Sequence, residues 1–206
     1  SASPRRVSRI GFLLLLAGIV LLVVLLKWGT GPEIVTWPLI LVGLGIGSLA
    51  SQLGAVAASS VPDERTGEVG GLQNTATNLG ASIATALAGA VLISALTTSF
   101  FNNLENNPAV PPSVLESAQV NLASGVPFVS DAQLDDALTQ AGVAPDVAHE
   151  VTQANTEARI NALRASFSLL ALLGVVALFF TGRIPDEPAT KQQGAGPEPE
   201  PAPIQA

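Results

Sequence analysis

Amide side chains stand where amides are costly. Gln52, Asn74 and Asn78 fall within long charge-free stretches of this 206-residue chain. An uncharged amide in hydrocarbon needs a partner or water, so such groups face a bundle interior or a cavity, where they offer donors and acceptors to a polar ligand. The plainer use of the same groups is a helix-to-helix hydrogen bond near the interface. Asn74 and Asn78, four residues apart, share a helical face, and Gln73, Thr75 and Thr77 crowd the same turns. Proton transfer finds no comparable foothold, because no Asp, Glu or His lies inside the apolar stretches. The one histidine, His149, sits beside Glu150 in an acidic stretch. With no second His or ligand set nearby, it reads as a surface residue rather than a pH-sensing pair. There is no Cys, hence no thiolate nucleophile, thiolate metal site or disulfide. P-loop, GxSxG, HExxH and paired-carboxylate patterns are missing too, so neither an enzyme nor a metal or cofactor site is expected.

The elements that position these amides are set by composition. Residues are 48% hydrophobic and only 12% charged, where soluble domains carry about twice that charge. The apolar residues are blocked into four runs, roughly 10–26, 34–59, 72–101 and 160–182. Each is long enough to cross hydrocarbon, and each must be helical, since a backbone in lipid satisfies its own hydrogen bonds and barrel-type alternation is missing. The first run is too long for a signal peptide, and LLKWGTGPE offers no small-x-small cleavage site. The expected fold class is therefore an all-α membrane protein with four transmembrane helices.

Charge sets the orientation. Arg5, Arg6 and Arg9 precede the first run, Arg65 lies in the loop 60–71, and Arg183 and Lys191 follow the fourth run, whereas Lys27, Arg159 and Arg164 fall on the other side. The positive-inside rule then puts the stub 1–9 and the tail 183–206 in the cytoplasm of an inner or plasma membrane protein. The segment 102–159, which holds eight of the sixteen acids, is left outside as a small helical extracytoplasmic segment between the third and fourth spans. Within it Ser113 and Ser130 are candidate N-caps, Gly142 a stop, and Pro145 the start of a helix with no breaker before the fourth run. The tail GAGPEPEPAPIQA has nothing to bury and is expected to be disordered. No basic nucleic-acid footprint exists.

Helix association in lipid relies on small residues that let backbones approach. The second run places Gly43, Gly47, Ser51, Ala55 and Ser59 at i, i+4 spacing, and the third places Ala76, Gly80, Ala84 and Ala88 likewise, with Gly89 alongside. The first and fourth runs are Leu/Val/Ala/Phe-rich, interrupted by Gly11, Gly18 and Gly174. The expected order is peripheral, packed, packed, peripheral.

The stretch VPDERTGEVGGLQNTATNLGASIATALAGAVL resembles the fourteen-span drug:proton antiporter branch of the major facilitator superfamily. The matching positions are Pro62, Gly67, Gly71, Leu72, Asn74, Thr75, Gly80, Ala84 and Gly89, and the long segment before the last helix fits as well. Arg65 falls near that family's cytoplasmic-loop motif, but Thr66 separates it from Gly67, and an interfacial role for the arginine is the simpler reading. The resemblance implies that these are the last four spans. It further implies that every third helix is peripheral, that the coupling acids lie in an absent N-terminal part, and that the remaining helices, the bilayer, a small-molecule substrate and protons are the partners. The expected function is the C-terminal part of a proton-coupled efflux transporter for small amphipathic compounds, not competent alone. A self-contained four-span protein whose acidic exterior segment binds a partner is the rival.

Overall fold

The computed structural model describes residues 3–27, 33–58, 65–121 and 128–184. Ser59, Pro62 and the Pro/Glu-rich tail lie outside them. Among the described residues the elements are α1 (Pro4–Leu25), α2 (Glu33–Ala58), α3 (Thr66–Glu105), α4 (Pro112–Asn121), α5 (Asp131–Gln140), α6 (Pro145–Phe180) and a 3-10 turn at Thr181–Arg183, with no strand. Four helices, α1, α2, α3 and α6, are long and apolar enough to cross a membrane. The architecture is thus that of an all-α chain compatible with a multi-pass membrane protein.

The long helices alternate in direction. α1 lies along α2, α3 along α6, and α1 also along α6, whereas α2 and α3 touch over only a short stretch. The close approaches fall on Gly11, Gly18 and Gly174 of the outer runs and on Gly45 of the second. A Cβ on Gly18 would stand 2.7 Å from the Pro38 carbonyl oxygen, and one on Gly45 would stand 2.7 Å from the Gly11 carbonyl oxygen. Removing the side chain at these two positions is what lets the α1 and α2 backbones meet. Pro38, inside α2, is fully buried at this seam. Gly174 plays the same part for α6, receiving Leu16 of α1. Inside this chain, then, the first and fourth runs form the central pair, with α2 on α1 and α3 on α6, so the expected order of peripheral outer runs and packed inner runs is reversed among the described residues.

The start of α1 and the turn that follows α6 meet at one end of the bundle. Arg5 Nε donates to the Ile184 carbonyl at 2.7 Å, and Arg9 Nε donates to Thr181 Oγ1 at 3.4 Å. Guanidinium groups placed at the C-terminal end of α6 complement its exposed carbonyls and dipole. We call this the terminal end. The opposite, loop end carries Lys27 beside Arg164. Along α1 from Arg9 to Lys27, and along α6 from Arg164 to Arg183, the charged bands are separated by roughly 27–29 Å at ~1.5 Å per residue, close to a bilayer's hydrocarbon thickness.

α3 with 40 residues and α6 with 36 are about 60 and 54 Å long, so neither is used up by one crossing. Beyond Arg164 they continue as an antiparallel pair whose core comprises Leu96, Phe100, Leu104, Val110, Val147, Val151, Ala154, Ala158 and Ala162. The apolar run 72–101 therefore divides: its last residues fill a protein core at the loop end. α5 packs on α6, and the apolar residues Val114 and Leu115 of α4 lean on the same core. Ser130 caps α5 with a full capping box to Gln133, Gly142 follows it with φ +72°, and Pro145 opens α6, which runs unbroken into the fourth apolar run. Ser113 differs from its expected role. α4 begins one residue earlier, at Pro112, and the Pro111 carbonyl accepts from Val114 N, because a proline supplies the fixed φ of a first helical turn.

Candidate functional site

Gln52 lies in the last turns of α2 and Asn74 and Asn78 in the first turns of α3, so all three amides gather toward the terminal end. Gln52 is half-buried and donates to Ser51 Oγ at 3.2 Å. Asn74 and Asn78 are exposed, and Asn78 Nδ2 donates to Asn74 Oδ1 at 3.2 Å. That bond uses one donor and one acceptor, leaving both Asn74 N–H groups and the Asn78 oxygen on an open helix face. The hydroxyls around them are spent locally. Thr75 donates to the Gly71 carbonyl, Thr77 to Gln73, Ser82 to Asn78 and Ser48 to Leu44, each satisfying itself against its own helix. The amides are consequently the polar groups on this face with capacity to spare.

The small-residue stripes lie open. A Cβ on Gly43, Gly47, Gly80 or Gly89 would meet nothing within 4 Å, and Ser51 is exposed with its hydroxyl donated back to the Ser48 carbonyl. Ala84 and Ala88 are half-buried, and the Ala88 carbonyl accepts from Ser166 Oγ of α6 at 3.0 Å, the one cross-helix hydrogen bond between apolar segments among the described residues. The Ala55 side chain is not among those described. Arg65 is exposed and immediately precedes α3, making no side-chain cap, and Gly67 in the first turn is open on all sides.

Sequence reasoning passed over the residues that build the seams. Gly11 and Gly18 are seven apart, hence on one helical face, and that spacing was the available signal for the α1–α2 contact. Asn155, 1% exposed, donates to Asp131 Oδ1 at 3.1 Å and lies one turn before Arg159, which pairs with the same oxygen at 3.2 Å and stacks 5.0 Å from the Phe128 ring centre. This polar knot fastens the start of α5 to α6. No local pattern in residues 128–131 announces it, since its members are 24 to 28 positions apart.

At the loop end Asn107 Nδ2 donates to Glu150 Oε2 at 2.7 Å, beside a cleft of about 220 Å³ lined by Asn103, Asn106, Gln153 and Glu157 among others. His149 is exposed. Among the described residues no three His, Asp or Glu side chains gather closely enough to hold a metal ion. Comparison with known protein families, with curated proteins and with solved structures finds no match.

Proposed function

We propose that this chain is the C-terminal part of a secondary transporter that exports small amphipathic compounds in exchange for protons. α2 and α3 contribute to the wall of the substrate path through Gln52, Asn74 and Asn78, and α1 and α6 border lipid. The observation that carries this reading is the asymmetry between the helices. α1 and α6 are closed on each other by Gly174 and Leu16 and by the arginine contacts at the terminal end. α2 and α3 turn open small-residue faces and unspent amides outward. Faces of that kind are stable in a membrane when further helices or a water-filled path lie against them. The apolar segments hold no Asp, Glu or His, so the proton would be carried by acids on the helices that complete the protein. Its place would be the inner or plasma membrane, with both ends cytoplasmic by the arginine distribution.

Expression of the chain alone in efflux-deficient cells tests this. The expected result is no gain in drug tolerance and no proton-dependent dye export, and either gain refutes the reading. A second reading, a self-contained four-span protein whose acidic segment binds a partner, draws on the separate core at the loop end. It requires a monodisperse homo-oligomer in mild detergent, with the open α2 and α3 faces buried between copies.

A further inference from the structure

Between the end of α1 and the side of α6 lies a cleft of about 350 Å³ lined by Lys27, Glu157, Ile160, Asn161 and Arg164. Its level is set by the charge pattern of both helices. Lys27 follows the apolar run of α1, and Arg164 stands where α6 turns apolar, so the cleft lies at the boundary where headgroups replace hydrocarbon. Its chemistry is mixed: two cations, one carboxylate, an amide and an apolar wall. Arg164 is half-buried, lines the cleft, and makes no side-chain hydrogen bond or ion pair among the described residues, so the terminal nitrogens of its guanidinium are left for an acceptor that enters the cleft. A phosphate oxygen is the acceptor to which guanidinium geometry is best matched. Glu157 accepts from Gln153 Nε2 at 3.3 Å and keeps lone pairs for a further donor.

We propose that this cleft binds the headgroup of a phospholipid carrying both a phosphate and a primary ammonium. The phosphate lies on Arg164 and the ammonium on Glu157, and the acyl chains follow exposed apolar residues such as Val20, Val24 and Leu172. A headgroup with negative charge alone meets the Glu157 carboxylate, and a choline headgroup has no N–H to offer it. A soluble phosphate compound shares the anion chemistry. The lipid is favoured because the cleft adjoins apolar surface on both helices. The site requires only that α1 and α6 border lipid, and it is independent of transport.

The purified full chain in mild detergent is offered phosphatidylethanolamine, phosphatidylcholine or phosphatidylglycerol, and bound lipid is counted by native mass spectrometry. The ethanolamine lipid is expected to be retained roughly tenfold more than the choline lipid, the scale of one charge-assisted hydrogen bond. Arg164→Gln, with helical content unchanged by circular dichroism, loses that retention. Glu157→Gln keeps lipid but loses the preference for ethanolamine. Free phosphoethanolamine at equal concentration leaves the lipid bound. Equal retention of the three lipids by the unaltered chain overturns the proposal without recourse to any variant, as does undiminished binding in Arg164→Gln. Displacement by free phosphoethanolamine at equal concentration overturns the lipid source.

Discussion

Gly18 and Gly43 carry the same absent side chain on neighbouring helices and have opposite surroundings. A Cβ at Gly18 would press within 2.7 Å of the Pro38 carbonyl oxygen and Val42 Cγ2, whereas one at Gly43 would meet nothing within 4 Å. Gly18→Ala is therefore expected to cost about 1–3 kcal/mol through forced separation of α1 and α2. Gly43→Ala is expected to leave the chain's thermal midpoint in detergent unchanged. A neutral Gly18→Ala would show that the seam has slack. At the loop end, Asn155→Ala removes a buried donor from Asp131 and leaves that carboxylate to Arg159 alone. The expected loss is about 1–2 kcal/mol, read as faster amide exchange in α5 with α1 unaffected. Asn155 is recognisable in the sequence only as one amide among several, because its partner is distant along the chain, and Gly18 reads there only as an interruption of a peripheral run, because a single segment does not show which surface meets it.

At the scale of elements, local chemistry was the better guide. Ser130, Gly142 and Pro145 each act where their types imply, since a cap, a left-handed turn and a first-turn proline depend on immediate neighbours alone. Ser130→Ala is expected to cost roughly 1 kcal/mol of α5 stability, detectable as loss of helical amide protection in 131–140, with α6 unchanged. The cross-helix bond from Ser166 to the Ala88 carbonyl is weaker currency: Ser166→Ala is expected to cost about 0.6 kcal/mol, the average for such bonds in membranes. A loss several times larger would mean that Ser166 is needed for packing as well. Ser113 shows where local reading stops. Pro111 and Pro112 compete for the same helix start, and proline's fixed φ prevails over a hydroxyl cap.

For the whole molecule, the arginine distribution predicts an orientation that cysteine labelling reads directly. Having no Cys, the chain accepts single-cysteine variants without background. Ser117→Cys in α4 is expected to react with an impermeant maleimide from outside intact cells and Arg6→Cys only after permeabilisation, if the arginines mark the cytoplasmic side. The reverse pattern would invert the topology. The sequence by itself determined that there are four membrane-length helices and that the segment between the third and fourth carries helices of its own. These follow from run length, hydropathy and caps, which are properties of contiguous residues. Only the tertiary structure decided which helices touch. It joined α1 to both α2 and α6 through Gly18, Gly45 and Gly174, left the stripes of Gly43, Gly47 and Gly80 open, and divided the third apolar run between a membrane-length segment and a core with α6. The reason is physical. In an apolar medium every face of such a helix is nearly equivalent by hydropathy, so the choice among faces falls to the shape match of two surfaces, and a single chain segment carries only one of them.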